Sequence, residues 1–236
     1  MTNALRANLE MIKFVAEKLG DLREQVAFLG GATTGLLITD PATPNIRPTE
    51  DVDIITEITS RSKYYQLEEF LRNLGFRQNP DEENPICRWV IDHVIVDVMP
   101  TDEEILGFSN QWYSPAIINA DRVELEDNLV INVVTAPYFL ATKIEAFEGR
   151  GQGDFLRSHD IEDIIAVIDG RKEIVGEIKK SPEDLKTFLA IKFKEMIDNE
   201  LFTESISGHL LPDSASQARA PLIINRIEEI IVSGEK

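Results

Sequence analysis

The apolar pattern of this chain changes near Thr135 from strand-type to helix-type, and that change limits the folds that the sequence can adopt. Before Thr135, short apolar runs such as "QVAFLG" and "EDVDIITEI" alternate with helical segments. After Thr135, the apolar residues of the longer segments recur at helical spacing. The sequence therefore predicts an α+β fold, with a mixed-sheet α/β core over residues 1–135 and a helical domain over residues 136–236. Because no Gly/Ser-rich linker joins the two, we expect the helical domain to pack against the core.

Particular segments predict particular elements. An amphipathic helix is predicted before Gly20, and "KYYQLEEFLRNLGF" predicts a second helix that ends at Gly75. The segment "PICRWVIDHVIVDVMP" predicts either a hairpin or one long strand. Prolines 41, 44 and 48 predict a loop between the first two strands. Four later segments predict helices: "APYFLATKIEAFEG", "SHDIEDIIAVIDG", "SPEDLKTFLAIKFKEMIDNEL" and "RAPLIINRIEEIIVS".

The composition narrows the classes of function. With 42 acidic and 24 basic residues, the chain has a net charge of −18, which disfavours nonspecific nucleic-acid binding but leaves room for a local basic patch that holds an RNA end. Cys87 is the single cysteine, so neither a disulfide framework nor a thiolate metal site is expected. The sequence has no apolar run of the roughly 20 residues that a membrane span needs, and its first twenty residues do not resemble a signal peptide. We therefore expect no membrane partner and a cytoplasmic location.

Three aspartates lie in otherwise apolar strand patterns. Asp51 and Asp53 alternate with Val52 and Ile54, so their side chains should share one face of a strand, roughly 7 Å apart. Asp97 stands alone in "VIVDVM". Uncompensated buried charges cost several kcal/mol, and clustered carboxylate oxygens suit Mg²⁺ or Mn²⁺. If the two strands are neighbours, the three carboxylates converge on one edge of the sheet. An acid-x-acid pair is common by chance in so acidic a chain, so its value lies in the combination with other features.

That combination resembles the nucleotidyltransferase superfamily that includes DNA polymerase beta. The matching residues are Gly30-Gly31, Asp51-Val52-Asp53 and Asp97, in that order. The stretch "RPTEDVDI" is similar to the bacterial nucleotidyltransferases of the AbiEii/AbiGii toxin type. One departure is the gap of 20 positions between Gly31 and Asp51, which is longer than usual in the superfamily. The stretch "TDPATPNIRP" fills this gap, so its place in a nucleotide pocket is open.

The resemblance implies a metal-dependent transfer of a nucleoside monophosphate from an NTP to a hydroxyl group. It assigns two Mg²⁺ or Mn²⁺ ions to Asp51 and Asp53, and it assigns Asp97 to one metal site and to the proton of the attacking hydroxyl. Glycine at both positions of the Gly30-Gly31 pair would allow backbone N–H groups to approach the phosphates. Arg47 and Thr49, in the stretch before the paired aspartates, are added to the expected nucleotide-binding residues.

The helical half adds a lysine and two aspartates. Lys143 lies on the inward flank of its predicted helix, where the default expectation is an amine that reaches solvent along the apolar surface. The resemblance instead assigns this lysine to the triphosphate. Ser158 is a good N-cap and Asp160 suits the first turn, which already explains Asp160 structurally. The resemblance assigns either Asp160 or Asp163 to the active site, and the sequence does not decide between them.

The acceptor follows less directly from the sequence. An RNA 3′ end, such as that of tRNA, is the first expectation and a protein hydroxyl the second, with Arg47, Lys143, Arg150 and Arg157 as the expected basic lining. Arg150 is also expected to bind nucleotide, although solvated surface arginines are the commoner case. The resemblance further suggests a toxin with a cognate antitoxin, while a catalytically silent nucleotide- or partner-binding protein is the alternative. The oligomeric state is open.

Overall fold

The computed structural model describes residues 2–42, 46–78, 85–107, 109–126 and 128–234, and the chain divides into two compact units. The first unit comprises Asn3–Gly35 and Pro48–Thr135. The second comprises Leu36–Arg47 and Ala136–Lys236. The segment Leu36–Arg47, which the sequence pattern groups with the core, thus belongs with the later helices.

A seven-stranded mixed sheet organises the described part of the first unit, with the strand order β3-β4-β5-β2-β1-β7-β6. The β2–β5 and β1–β7 pairs are parallel and the other neighbouring pairs are antiparallel. The segment "PICRWVIDHVIVDVMP" forms a hairpin rather than one long strand. The strands are β1 (Val26–Leu29), β2 (Asp51–Thr56), β3 (Arg77–Gln78), β4 (Arg88–Ile91), β5 (Val94–Pro100), β6 (Asp121–Glu126) and β7 (Leu129–Val133).

Helices of the first unit have the amphipathic pattern that the sequence predicts. On α1, Ile12, Val15 and Leu19 are buried at helical spacing, and α3 begins at a Ser60 cap whose side chain accepts a hydrogen bond from the Lys63 backbone N–H. The short helices α4 and α5 were not predicted. The helices up to Thr135 are α1 (Asn3–Leu19), α2 (Thr34–Leu37), α3 (Arg61–Asn73), α4 (Glu103–Leu106) and α5 (Tyr113–Ile118), of which α2 crosses the division between the units.

The rest of the second unit is helical, as the periodicity predicts, but one long predicted helix is broken. The segment "SPEDLKTFLAIKFKEMIDNEL" ends its first helix at Ile197, and the Asn199 side chain accepts a hydrogen bond from the Leu201 backbone N–H to start another. Within the described ranges, no helix is both long and apolar enough to cross a membrane. The helices are α6 (Ala136–Arg150), α7 (His159–Gly170), α8 (Ile174–Lys180), α9 (Glu183–Ile197), α10 (Glu200–Gly208), α11 (Ser214–Gln217) and α12 (Ala220–Gly234).

Polar contacts attach the segment Leu36–Arg47 to the helices of its unit. The backbone N–H groups of Thr39 and Asp40 donate to the Gly170 carbonyl at 3.0 and 2.8 Å. The Arg171 guanidinium donates to the Leu37 carbonyl at 2.7 Å, and the Arg219 guanidinium donates to the Asp40 carboxylate at 3.3 Å. These bonds join the segment to the end of α7, and Arg47 joins it to Asp163 in the first half of the same helix. Of the proline-rich loop predicted here, residues 43–45 lie outside the described ranges.

Candidate functional site

The aspartates of the first unit lie on one face of two neighbouring strands. β2 and β5 are parallel neighbours, and Asp53 is directly opposite Asp97 in their register. Val52 and Ile54 are fully buried on the other face of β2, which leaves Asp51 on the same face as Asp53. The condition on which the sequence made this convergence depend, that the two strands are neighbours, is therefore met. We call the three residues Asp51, Asp53 and Asp97 the carboxylate face.

The glycine before this face is required by its geometry. Gly30 has φ +76° and ψ −170°, a region that is essentially restricted to glycine. A Cβ atom on Gly30 would lie only 1.8 Å from Asp53 Oδ2, so a side chain would collide with the carboxylate. Gly31 begins a helical turn, Gly31–Thr33, in which Thr33 donates through its backbone N–H and its hydroxyl to the Gly30 carbonyl. Gly30 therefore places the backbone directly against Asp53.

Thr49 orients Asp51 from the preceding loop. Its hydroxyl donates to Asp51 Oδ1 at 2.8 Å, and its backbone N–H donates to the side-chain oxygen of the buried Asn8 at 3.2 Å. The loop is thereby connected to α1 just before β2 begins. Contact between Thr49 and a nucleotide stays a prediction, and the structure gives Thr49 a positioning contact within the chain.

Arg88 also lies at this face, although the sequence pattern does not predict it there. It lies directly opposite Asp97 in the β4–β5 pair. Its Nε donates to Asp97 Oδ1 at 2.9 Å and its Nη2 to Asp97 Oδ2 at 2.7 Å, while Nη2 lies 3.7 Å from Asp51 Oδ2. The hydrogen bonds to Asp97 raise the pKa of Arg88 further above its already high value. Choosing the hairpin over the single long strand would have revealed this pairing.

The donor chemistry of the carboxylate face suits a divalent cation, but the observed arrangement does not close around one. Carboxylate oxygens are the ligands that Mg²⁺ and Mn²⁺ prefer. Both Asp97 oxygens, however, accept hydrogen bonds from Arg88. Within the part of the chain that the structure describes, no group of three or more His, Cys, Asp or Glu side chains is placed to hold a metal ion. In this arrangement Arg88 competes with a cation for the Asp97 carboxylate.

The predicted site residues of the second unit form a charged cluster. Lys143 Nζ lies 3.1 Å from Asp160 Oδ1 and 2.7 Å from Asp163 Oδ2, and its side chain is 8% exposed. The expectation that this amine reaches solvent is therefore wrong. Arg150 also donates to Asp160, at 2.8 and 3.0 Å, and Arg47 donates to Asp163 through two bonds of 3.0 Å. Both candidate aspartates thus contact Lys143.

The pKa of Asp160 reflects two opposing effects. Burial of the carboxyl raises its pKa, but hydrogen bonding to Arg150 and the nearby charge of Lys143 outweigh burial, and the net pKa lies below its usual value. Asp160 is therefore held as a carboxylate. Of the two arginines predicted to line the site here, Arg150 at the end of α6 contacts Asp160 although most of its side chain is exposed. Arg157 is also exposed.

The fold of this chain is similar to that of a protein of known structure. The chain superposes with a TM-score of 0.51 on an antigenic nucleotidyltransferase-like protein from Paracoccidioides brasiliensis, at 23% sequence identity over 89% of this chain and 96% of that one. JHP933 from Helicobacter pylori gives a TM-score of 0.49 at 10% identity, over 100% of this chain and 95% of that one. No protein-family model and no curated protein matches the sequence. The predicted α+β fold, a mixed sheet with helices, is confirmed, and the Paracoccidioides brasiliensis protein shares it.

Proposed function

We propose that the protein is a metal-dependent nucleotidyltransferase that moves a nucleoside monophosphate from an NTP to a hydroxyl acceptor. The observation that carries the proposal is the pairing of Asp53 with Asp97 across two parallel strands, with Gly30 against Asp53. Carboxylates directly opposite each other on neighbouring strands repel one another, and apolar packing does not offset that repulsion. A purely structural sheet would therefore gain no stability from this pairing. The likeness in fold to a nucleotidyltransferase-like protein supports the same function.

The residues of the carboxylate face and their neighbours would have different roles in the reaction. Asp51, Asp53 and Asp97 would hold the cation, and a divalent cation bound there would neutralise phosphate charge and favour deprotonation of the attacking hydroxyl. Thr49 keeps Asp51 oriented through its hydroxyl. Gly30 keeps the space beside Asp53 free of a side chain. An Asp97 carboxylate released from Arg88 can accept the proton of the acceptor hydroxyl.

The residues of the second unit keep their predicted roles as proposals. Lys143, Arg47 and Arg150 are proposed to meet the charge of the triphosphate, as phosphate-binding lysines and arginines do elsewhere. Asp160 and Asp163 hold the side chains of these three basic residues in defined positions through ion pairs. The structure thus supports a positioning role for both aspartates.

Pyrophosphate release from each of the four NTPs in the presence of Mg²⁺ tests the transfer directly. The protein is incubated with total RNA and a protein extract, with the NTP labelled at its α-phosphate. Asp53→Asn should abolish both label transfer and pyrophosphate release. Asp121→Asn, at an exposed position of β6, is the matched control and should retain both. Transfer that survives Asp53→Asn would exclude the carboxylate face as the active site.

For the acceptor, we propose an RNA 3′-hydroxyl, such as that of tRNA, with a protein hydroxyl as the second choice. The net charge of −18 repels RNA in general, so productive binding has to depend on a local basic surface. Transfer to RNA should then fall steeply as salt is added, whereas transfer to a protein need not. Label that migrates with protein, survives ribonuclease and depends little on salt would exclude RNA as the acceptor.

A toxin role in the cytoplasm, with a cognate antitoxin as partner, is the biological setting that we propose. Expression in a bacterial host tests it, because an active toxin should arrest growth and Asp53→Asn should not. Equal growth with both proteins would argue against toxicity while leaving the transfer reaction unaffected.

One observation favours a different function. Because Arg88 already neutralises Asp97, the second candidate is a catalytically silent protein that binds a nucleotide or a partner. Such a protein would bind NTP without releasing pyrophosphate. Equilibrium binding of a nonhydrolysable NTP, measured beside the pyrophosphate assay, separates the two functions.

A further inference from the structure

Arg88 connects two of the three members of the carboxylate face. Its Nη2 lies 2.7 Å from Asp97 Oδ2 and 3.7 Å from Asp51 Oδ2. The guanidinium therefore occupies the space between these two carboxylates. Its side chain is 28% exposed, so the path from this position to solvent is open.

We propose that Arg88 is an exchangeable counter-ion that occupies the position of a divalent cation between Asp51 and Asp97, and that metal binding displaces it. The inference rests on the proposed function, since it concerns the metal of the same site. It assigns to Arg88 a role in setting the metal affinity of the carboxylate face.

The competition follows from distance and charge. Asp51 and Asp97 would have to hold the cation through their carboxylate oxygens, and Arg88 Nη2 already lies 2.7 Å from Asp97 Oδ2 and 3.7 Å from Asp51 Oδ2, so the two positive charges compete for the same oxygens. Arg88 cannot relieve the conflict by losing its proton, because an arginine stays protonated in proteins. The guanidinium must therefore move for Asp97 to become a ligand. Asp53 lies opposite Asp97 and gives the incoming cation a further carboxylate on the same face.

The expected advantage of such an arrangement is a stable site in the absence of metal. Carboxylates on neighbouring strands repel one another when no cation is present. Arg88, with two hydrogen bonds to Asp97, offsets that repulsion. Removing Arg88 should therefore weaken the metal-free protein and tighten metal binding at the same time, and a purely structural ion pair would produce only the first effect.

Mn²⁺ binding to the full-length protein, followed by electron paramagnetic resonance in the absence of nucleotide, tests the inference. Arg88→Gln should bind Mn²⁺ about tenfold more tightly than the native protein. Arg88→Lys, which retains the charge but not the two-pronged contact, should lie between them. Arg77→Gln, at an exposed arginine of β3, is the matched control for the loss of one positive charge and should change the affinity less than twofold.

Thermal unfolding gives a second readout that does not depend on activity. Without metal, Arg88→Gln should melt below the native protein, and saturating Mn²⁺ should raise its melting temperature by more than it raises that of the native protein. Mn²⁺ affinity that is unchanged or weaker in both Arg88→Gln and Arg88→Lys would overturn the inference. If Arg88→Gln does not fold, Arg88→Lys and its Mn²⁺ affinity decide alone.

The two proposals fail separately. Tighter Mn²⁺ binding by the Arg88 variants, in a protein that transfers no nucleotide, would support the counter-ion and contradict the transferase. Nucleotide transfer by a protein whose Arg88 variants bind Mn²⁺ no more tightly would support the transferase and contradict the counter-ion.

Discussion

Replacing Gly30 with alanine should damage both the backbone and the carboxylate face. The backbone at Gly30 has φ +76° and ψ −170°, and a residue with a Cβ atom pays about 1–3 kcal/mol to adopt such a conformation. The new Cβ atom would also lie 1.8 Å from Asp53 Oδ2, which forces the carboxylate out of its rotamer at a cost of about 0.5–1.5 kcal/mol. The free energy of unfolding should therefore fall by about 1.5–4.5 kcal/mol. For a chain of this size, the melting temperature should fall by about 3–18 °C.

Gly107→Ala is the matched control for the backbone effect. Gly107 has φ +79°, and a Cβ atom there would meet nothing within 4 Å. Its substitution should cost only about 1–2 kcal/mol, the usual penalty of a left-handed residue. Differential scanning calorimetry and Mn²⁺ titration of both variants separate the effects, because Gly30→Ala should weaken Mn²⁺ binding and Gly107→Ala should not.

A double variant isolates the contact between Gly30 and Asp53. Asp53→Ala removes the carboxylate that the new Cβ atom would meet, so Gly30→Ala should cost less in that background. The two substitutions should be coupled by about 0.5–3 kcal/mol, as neighbouring residues usually are. Strictly additive losses, or equal losses for Gly30→Ala and Gly107→Ala, would refute the claim that Gly30 is required by its contact with Asp53.

Three further predictions concern individual side chains. Lys143→Ala should lower the free energy of unfolding by about 3 kcal/mol in urea titrations, because it leaves Asp160 and Asp163 without their shared buried partner, and it should slow nucleotide transfer by tenfold or more. Asp160→Asn should lose stability relative to the native protein at neutral pH. Since the folded pKa of Asp160 is lowered, this difference should disappear as the pH falls from the ordinary value near 3.9 through the folded pKa. Burial raises the pKa of Cys87 to about 12, so iodoacetamide should modify it slowly in the native protein and rapidly in guanidinium, whereas equal rates would contradict its burial.

The sequence predicted most of the longer elements and the common face of the paired aspartates, because both depend on local periodicity. The alternation of Asp51 and Asp53 with apolar residues fixes their shared direction from one strand alone. The pairing of β2 with β5 brings together Asp53 and Asp97, which are 44 positions apart, and no local pattern specifies that pairing. The sequence therefore left this pairing as a condition of the predicted site.

Arg88 and the break before α10 were missed for different reasons. The sequence left the hairpin and the single long strand as alternatives, and only the hairpin places Arg88 opposite Asp97. The break after Ile197 had a local signal, since Asn199 is a favoured N-cap residue, but the continuing helical periodicity outweighed it in the reading. At this break, the N-cap residue Asn199 indicates the structure better than the apolar periodicity does.

The grouping of Leu36–Arg47 with the helices of the second unit affects how the protein can be dissected. A fragment that begins at residue 136 would lack the segment between β1 and β2, which contains Arg47 and Asp40. These two residues contact Asp163 and Arg219, respectively. In the intact chain these contacts form at the high effective concentration that covalent connection provides, whereas a separate peptide of residues 36–47 would have to bind from solution. Genetic separation of the units should thus require a circularly permuted or grafted chain in which this short segment is joined to the helices that it contacts.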